Sequence, residues 1–133
     1  MERAEQVAEA VLRLEGGRAS LGRVSFTRGS VWVVGLPGIG DKPAVIVSWQ
    51  PIQQALGAAI VARITSVEKR RALPTAVALD AGEAGLDRGG YVLCHDLFTL
   101  DRDVFRRFTG RLSAPRLLQV EDALRQALDL RVK

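Results

Sequence analysis

Two runs of apolar residues limit what this chain can fold into more than any other feature of it. Ala44-Val45-Ile46-Val47-Ser48-Trp49 and Ala58-Ala59-Ile60-Val61-Ala62-Arg63-Ile64 are rich in β-branched side chains and almost uninterrupted. Strands buried on both faces read this way. Each run has a short polar piece at one end, Lys42-Pro43 before the first and Thr65-Ser66 after the second. A sheet core therefore holds both pieces, and any chemistry is expected near them. The ring of Pro43 restricts the backbone on either side of the Lys42-Pro43 bond, while Thr65 presents a hydroxyl from the rigid end of a strand.

The flanking sequence fits more strands around this pair. Ser30–Leu36, rich in Val and Trp, predicts a strand closed by the turn Pro37-Gly38-Ile39-Gly40. Residues 51–56 allow one helical turn, residues 74–79 a short strand and residues 80–87 a turn-rich loop. Tyr91-Val92-Leu93-Cys94 and Leu97-Phe98-Thr99-Leu100 read as one long, bent strand, and residues 106–112 add a last one. Ser113 then stands as an N-cap with Pro115 in the first turn of a helix reaching about Leu130. That helix places Leu117, Leu118, Val120, Leu124, Ala127 and Leu128 mostly on one face. Short strands followed by a terminal helix predict an α+β fold: a small, curled antiparallel sheet packed against helices.

The N-terminus is different in kind. Ala4, Val7, Ala8, Val11 and Leu14 recur at helical spacing before Gly16-Gly17. Residues 1–25 are expected to form a helical extension on a main domain spanning residues 26–133. A narrow Ala/Val stripe needs a surface to lie on, so the extension reads as a packing helix, a lid on the sheet, a dimer element or an arm toward a partner.

Composition removes several classes of function. At 133 residues one domain is expected. A single cysteine, Cys94, excludes an internal disulfide framework and any multi-cysteine zinc site, and one histidine leaves little for a metal, so no cofactor is expected. No apolar run approaches the roughly 20 residues of a membrane helix, and the first residues alternate acid and base, which predicts a cytoplasmic protein with no membrane partner. The net charge of +4, carried mainly by arginine, suits a phosphate-bearing or an acidic partner and does not choose between them. The G-x-S-x-G, H-E-x-x-H and phosphate-loop patterns are absent. Cys94 and His95 are adjacent, but successive strand residues point to opposite faces, so they form no nucleophile–base dyad in a regular strand. Cys94 reads as a core thiol, His95 faces solvent or the Leu93 side, and Asp96 falls on the Cys94 side unless a bulge intervenes.

The order of motifs carries further information. Arg28-Gly29-Ser30-Val31-Trp32-Val33-Val34, Lys42-Pro43-Ala44-Val45-Ile46-Val47-Ser48, Val61-Ala62-Arg63-Ile64-Thr65-Ser66, Leu73-Pro74-Thr75, Gly85-Leu86-Asp87-Arg88, Cys94-His95-Asp96-Leu97-Phe98-Thr99 and Gly110-Arg111-Leu112-Ser113 follow one another along the chain. Together they resemble the MazF/PemK (Kid) family of type II toxin–antitoxin toxins.

That resemblance implies a small SH3-like or CcdB-like β-barrel with a C-terminal helix, working as a homodimer. It implies a metal-independent endoribonuclease, an mRNA interferase that cuts single-stranded RNA to 2′,3′-cyclic phosphate and 5′-OH ends and is neutralised by an antitoxin with an acidic segment. The family motif sets an Arg before the Pro of the second strand and a Thr at the end of the third; Lys42 and Thr65 occupy those positions and are the implied catalytic residues. Arg28, Ser66, Lys69, Arg70, Arg71, His95 and Asp96 are the implied RNA-binding residues. Lysine in place of arginine offers a point charge without the bidentate fork. A non-catalytic RNA- or protein-binding module on the same scaffold, such as a CcdB-like gyrase binder or an inactive relative, is the alternative.

Overall fold

The computed structural model describes residues 26–66 and 73–130. The expected N-terminal helix and the basic Lys69-Arg70-Arg71 loop lie outside these residues. Six strands, β1 (Ser30–Leu36), β2 (Gly40–Ile46), β3 (Ala58–Thr65), β4 (Ala76–Leu79), β5 (Gly90–Asp101) and β6 (Phe105–Arg111), form one sheet. Every pairing is antiparallel, in the order β4-β5-β3-β2-β1-β6. Helix α1 (Gln50–Leu56) joins β2 to β3, and α2 (Ala114–Ala127) follows β6. The α+β expectation is met. Among the described residues the sheet is open, with β4 and β6 as its edges.

The first apolar run behaves as its composition dictates. Val45 packs with Val31, Ala62, Ile64, Val92 and Cys94 beneath Val120 and Ala123 of α2, while Ala44 and Ile46 join Phe26, Val34, Val61 and Leu100 in a second cluster. Alternate residues of one strand thus feed two cores. Its ends differ from expectation: β2 begins at Gly40, which takes Lys42 and Pro43 into the strand, and stops at Ile46. Trp49, read as part of the buried run, is 62% exposed. The cause is a buried polar network that draws the chain out of the sheet. The Ser48 hydroxyl donates to Gln53 Oε1 at 2.6 Å and accepts from the Ile60 N–H at 3.1 Å, and Gln53 Nε2 donates to the Phe26 carbonyl at 3.2 Å. Pro51 then sits in the first turn of α1, where a missing N–H costs nothing.

The terminal helix starts as predicted, with the Ser113 hydroxyl accepting from the Arg116 N–H at 3.2 Å. Its buried stripe is narrower than predicted. Leu117, Val120, Leu124 and Ala127 recur every three or four residues and pack on the sheet with Ala123, whereas Leu118 and Leu128 are exposed.

Strand β5 is the long, bent strand expected, and its bend has an identifiable cause. Ala62 pairs with Leu97, yet the next β3 residue, Arg63, pairs with Leu93. Cys94, His95 and Asp96 therefore face no β3 residue and form a bulge, the exception to simple parity noted for Asp96. On its other side the Cys94 N–H donates to the Thr75 carbonyl at 2.8 Å. Cys94 is fully buried beneath α2 and His95 is exposed, so the two side chains are separated as expected.

Candidate active site

Pro43 has no N–H to give a neighbouring strand. The β2–β3 ladder runs from Ile46 opposite Val61 to Ala44 opposite Arg63 and stops there. Continued at the same register, it would set Lys42 level with Thr65. The space where the two strands part is a cavity of about 230 Å³, lined by Lys42, Pro43, Arg63, Ile64, Thr65, Ser66 and Gly89. Lys42, Thr65 and Ser66, singled out from the sequence, thus meet at one place.

Each wall is held by local backbone structure. Lys42 is exposed and paired through its backbone with Val34 of β1. Thr65 is only 9% exposed and lies opposite Tyr91 in the β3–β5 ladder. The start of β5 presses closely on it. A side chain at Gly90, whose φ is 140°, would put its Cβ 2.7 Å from the Thr65 carbonyl oxygen; one at Gly89, at φ 68°, would come within 2.3 Å of the Leu79 carbonyl. Only glycine permits this approach, and it fixes the base from which the Thr65 hydroxyl projects.

Arg63 is the cavity residue that the motifs did not flag. It lies two residues before Thr65 on β3, hence on the same face. One hydrogen bond, Nη1 to Asp96 Oδ2 at 3.4 Å, ties it to the bulge. Its Nε is buried and has no hydrogen-bond partner among the described residues. Leaving such a donor unsatisfied costs on the order of 1–3 kcal/mol. A positive charge inside an otherwise apolar run was the sequence signal for it, since burial there requires a partner.

The other predicted residues that the structure describes fall outside the cavity lining. Arg28 donates through Nε to the Val47 carbonyl at 3.1 Å and pairs through Nη2 with Glu121 at 2.7 Å, which ties the entry to β1 to α2. His95 faces solvent with Nδ1 2.7 Å from Thr75 Oγ1. Asp96 reaches the cavity indirectly, through Arg63. Lys69, Arg70 and Arg71 lie outside the described residues.

Among the described residues, two cations, Lys42 and Arg63, and two hydroxyl-bearing residues, Thr65 and Ser66, therefore line one cleft, against a single loosely engaged carboxylate, Asp96. The arrangement suits an anion with several acceptor oxygens, because charge-assisted hydrogen bonds to phosphate are the strong kind. Among the described residues no group of three or more His, Cys, Asp or Glu side chains comes together as a metal site. Fold and cleft define a small sheet-and-helix domain with a polar, cation-lined cleft where two of its strands part.

The chain belongs to the PemK-like, MazF-like toxins of type II toxin–antitoxin systems, whose family model matches residues 27–128. It is 34% identical over 98 residues to a probable endoribonuclease MazF2 of Mycobacterium tuberculosis, a match covering 74% of this chain and 93% of the relative. A solved mycobacterial endoribonuclease in complex with its cognate antitoxin superposes with a TM-score of 0.70 at 29% identity, over 80% of this chain and 97% of that one. The MazF of a MazE–MazF complex from Deinococcus radiodurans gives 0.65 at 25% identity, over 78% and 95%.

Proposed function

We propose that this MazF-family toxin is a metal-independent endoribonuclease that cuts single-stranded RNA at the cleft between Lys42 and Thr65. The ribose 2′-OH attacks the adjacent phosphorus in line, the P–O5′ bond breaks, the 2′ oxygen loses its proton and the leaving 5′ oxygen gains one. The products are a 2′,3′-cyclic phosphate and a 5′-OH end. Lys42 stabilises the charge that builds on the phosphoryl oxygens, and the Thr65 hydroxyl donates a hydrogen bond to one of them. The observation that carries this reading is the meeting of Lys42, Thr65 and Ser66 in one cavity, reached from distant parts of the sequence.

Residues 26–133 form the catalytic domain and residues 1–25 an extension of it. The open sheet, bent at the β5 bulge, is an SH3-like barrel of the CcdB kind that is left unclosed. The protein acts in the cytoplasm as a homodimer, and a cognate antitoxin neutralises it by laying an acidic segment along the basic cleft. Arg28, His95 and the Lys69-Arg70-Arg71 loop steer the RNA strand toward it.

The deciding experiment is cleavage of a long RNA in EDTA, with the new 5′-OH ends mapped. Cutting that persists in EDTA is expected; binding of the RNA without cutting would select the non-catalytic module instead. Lys42→Arg restores the bidentate fork and is expected to raise the rate several-fold if phosphate binding limits it. A fall in rate would assign Lys42 to proton transfer.

A further inference from the structure

Arg63 is underused by the contacts it makes in the fold. Its one ion pair among the described residues is a single hydrogen bond of 3.4 Å, long beside the 2.7–2.9 Å of a charge-assisted bond. Its buried Nε has no partner among the described residues, although Arg63 lines the same cavity as Lys42 and Thr65. A guanidinium offers its Nε and an Nη hydrogen as one planar fork, and a phosphate is a matching acceptor pair. Asp96, meanwhile, stands on a bulge with no β3 partner, so its contact with Arg63 can be exchanged without breaking the ladder.

We propose that Arg63 is a second phosphate ligand of the site, giving the RNA backbone the bidentate fork that Lys42 lacks, and that Asp96 holds the guanidinium in place until the RNA phosphate takes it over. This assignment rests on the endoribonuclease reading of the cleft and extends it: the cation at the usual motif position supplies charge, and the arginine two residues before Thr65 supplies geometry. The Asp96 carboxylate competes with the phosphate for the same donors.

The test uses the full-length chain and two strands of the same sequence, an ordinary RNA and a 2′-O-methyl RNA that lacks the attacking hydroxyl. Binding of the uncleavable strand is followed by fluorescence anisotropy across a salt series. Arg63→Gln is expected to weaken binding by about tenfold or more, the loss of a hydrogen-bonded charge, and to flatten the slope of log affinity against log salt by about 0.7, the single-strand value for one phosphate contact. Arg63→Lys should recover the slope but not the cleavage rate. Asp96→Asn should tighten binding, because the competing charge is gone.

If Arg63 merely clamps the bulge, Arg63→Gln and Asp96→Asn will lower thermal stability and binding together with the salt slope unchanged, and the assignment is overturned. Wild-type cutting that Arg63→Gln leaves within about twofold overturns it too, while the endoribonuclease reading stands. An Arg63-dependent salt slope in a wild-type protein that cuts nothing has the opposite meaning: the ligand assignment holds and the enzyme reading falls.

Discussion

Arg63 and Arg116 are alike in burial and unlike in use. The Arg63 and Asp96 side chains are 26% and 33% exposed, those of Arg116 and Glu83 22% and 18%. Yet Arg116 is met by a full fork, Nε to Glu83 Oε2 at 2.7 Å and Nη2 to Oε1 at 2.9 Å, with Asp80 3.5 Å away. Glu83 Oε1 also accepts from the Asp80 N–H at 2.9 Å. That arginine clasps the loop before β5 to the first turn of α2. Among the described residues, Arg63 has one long polar contact and a buried donor without a partner. A satisfied arginine is a strut, whereas a half-satisfied one beside a cavity is available to a ligand.

The largest effect that would sharpen this contrast lies in the cleft. Thr65→Ala is expected to lower RNA cleavage by about a hundredfold or more, the usual cost of removing a transition-state hydrogen bond, with little change in melting temperature. Unchanged cleavage by that variant would remove Thr65 from the mechanism.

Next in size, and opposite in kind, is Arg116→Ala. It should cost about 1–2 kcal/mol in chemical denaturation and leave cleavage within about twofold. A large catalytic loss with intact stability would break the comparison. The hydrogen bond from Arg116 holds the Glu83 carboxyl below its usual range, helped by the Asp80 N–H and opposed by partial burial. The folded state thus favours the ionised form, so the stability this contributes is present above the ordinary carboxylate range and is lost as pH falls below that range, through the lowered value of the folded state. Arg116→Ala should therefore flatten stability against pH on the acid side; an unchanged slope would show that the clasp does not couple to folding.

The smallest effect concerns Cys94. Burial pushes its thiol from 9.0 up to about 11, and Sγ lies 3.7 Å from the Val120 carbonyl. The folded chain then holds a proton that the unfolded one releases, so stability should fall as pH rises from about 9 through about 11. Alkylation at neutral pH should be slow until the protein is unfolded, and fast labelling of the native chain would contradict the buried placement.

Much of this was legible in one dimension. Burial of the apolar runs on both faces, the Pro37–Gly40 turn and the Ser113 cap are local matters, settled by side-chain branching, proline geometry and capping, and the strands lie within a few residues of where these place them. Ser48 and Trp49 were misjudged because a β-rich window does not reveal that a buried serine will bond Gln53 and pull the chain away. Arg63 was missed for a related reason: its meaning depends on a cavity and on Asp96, which lies 33 residues away.

The amino-acid order by itself determined that residues 44–46 and 58–64 would make a sheet core with Lys42 and Thr65 beside it, because apolar pattern and proline act over a few residues. Only the tertiary structure decided that the ladder stops at Ala44, short of Pro43, that Gly90 at the start of β5 closes on Thr65, and that a bulge brings Asp96 to Arg63. Those depend on register between strands, which no short stretch of sequence encodes alone.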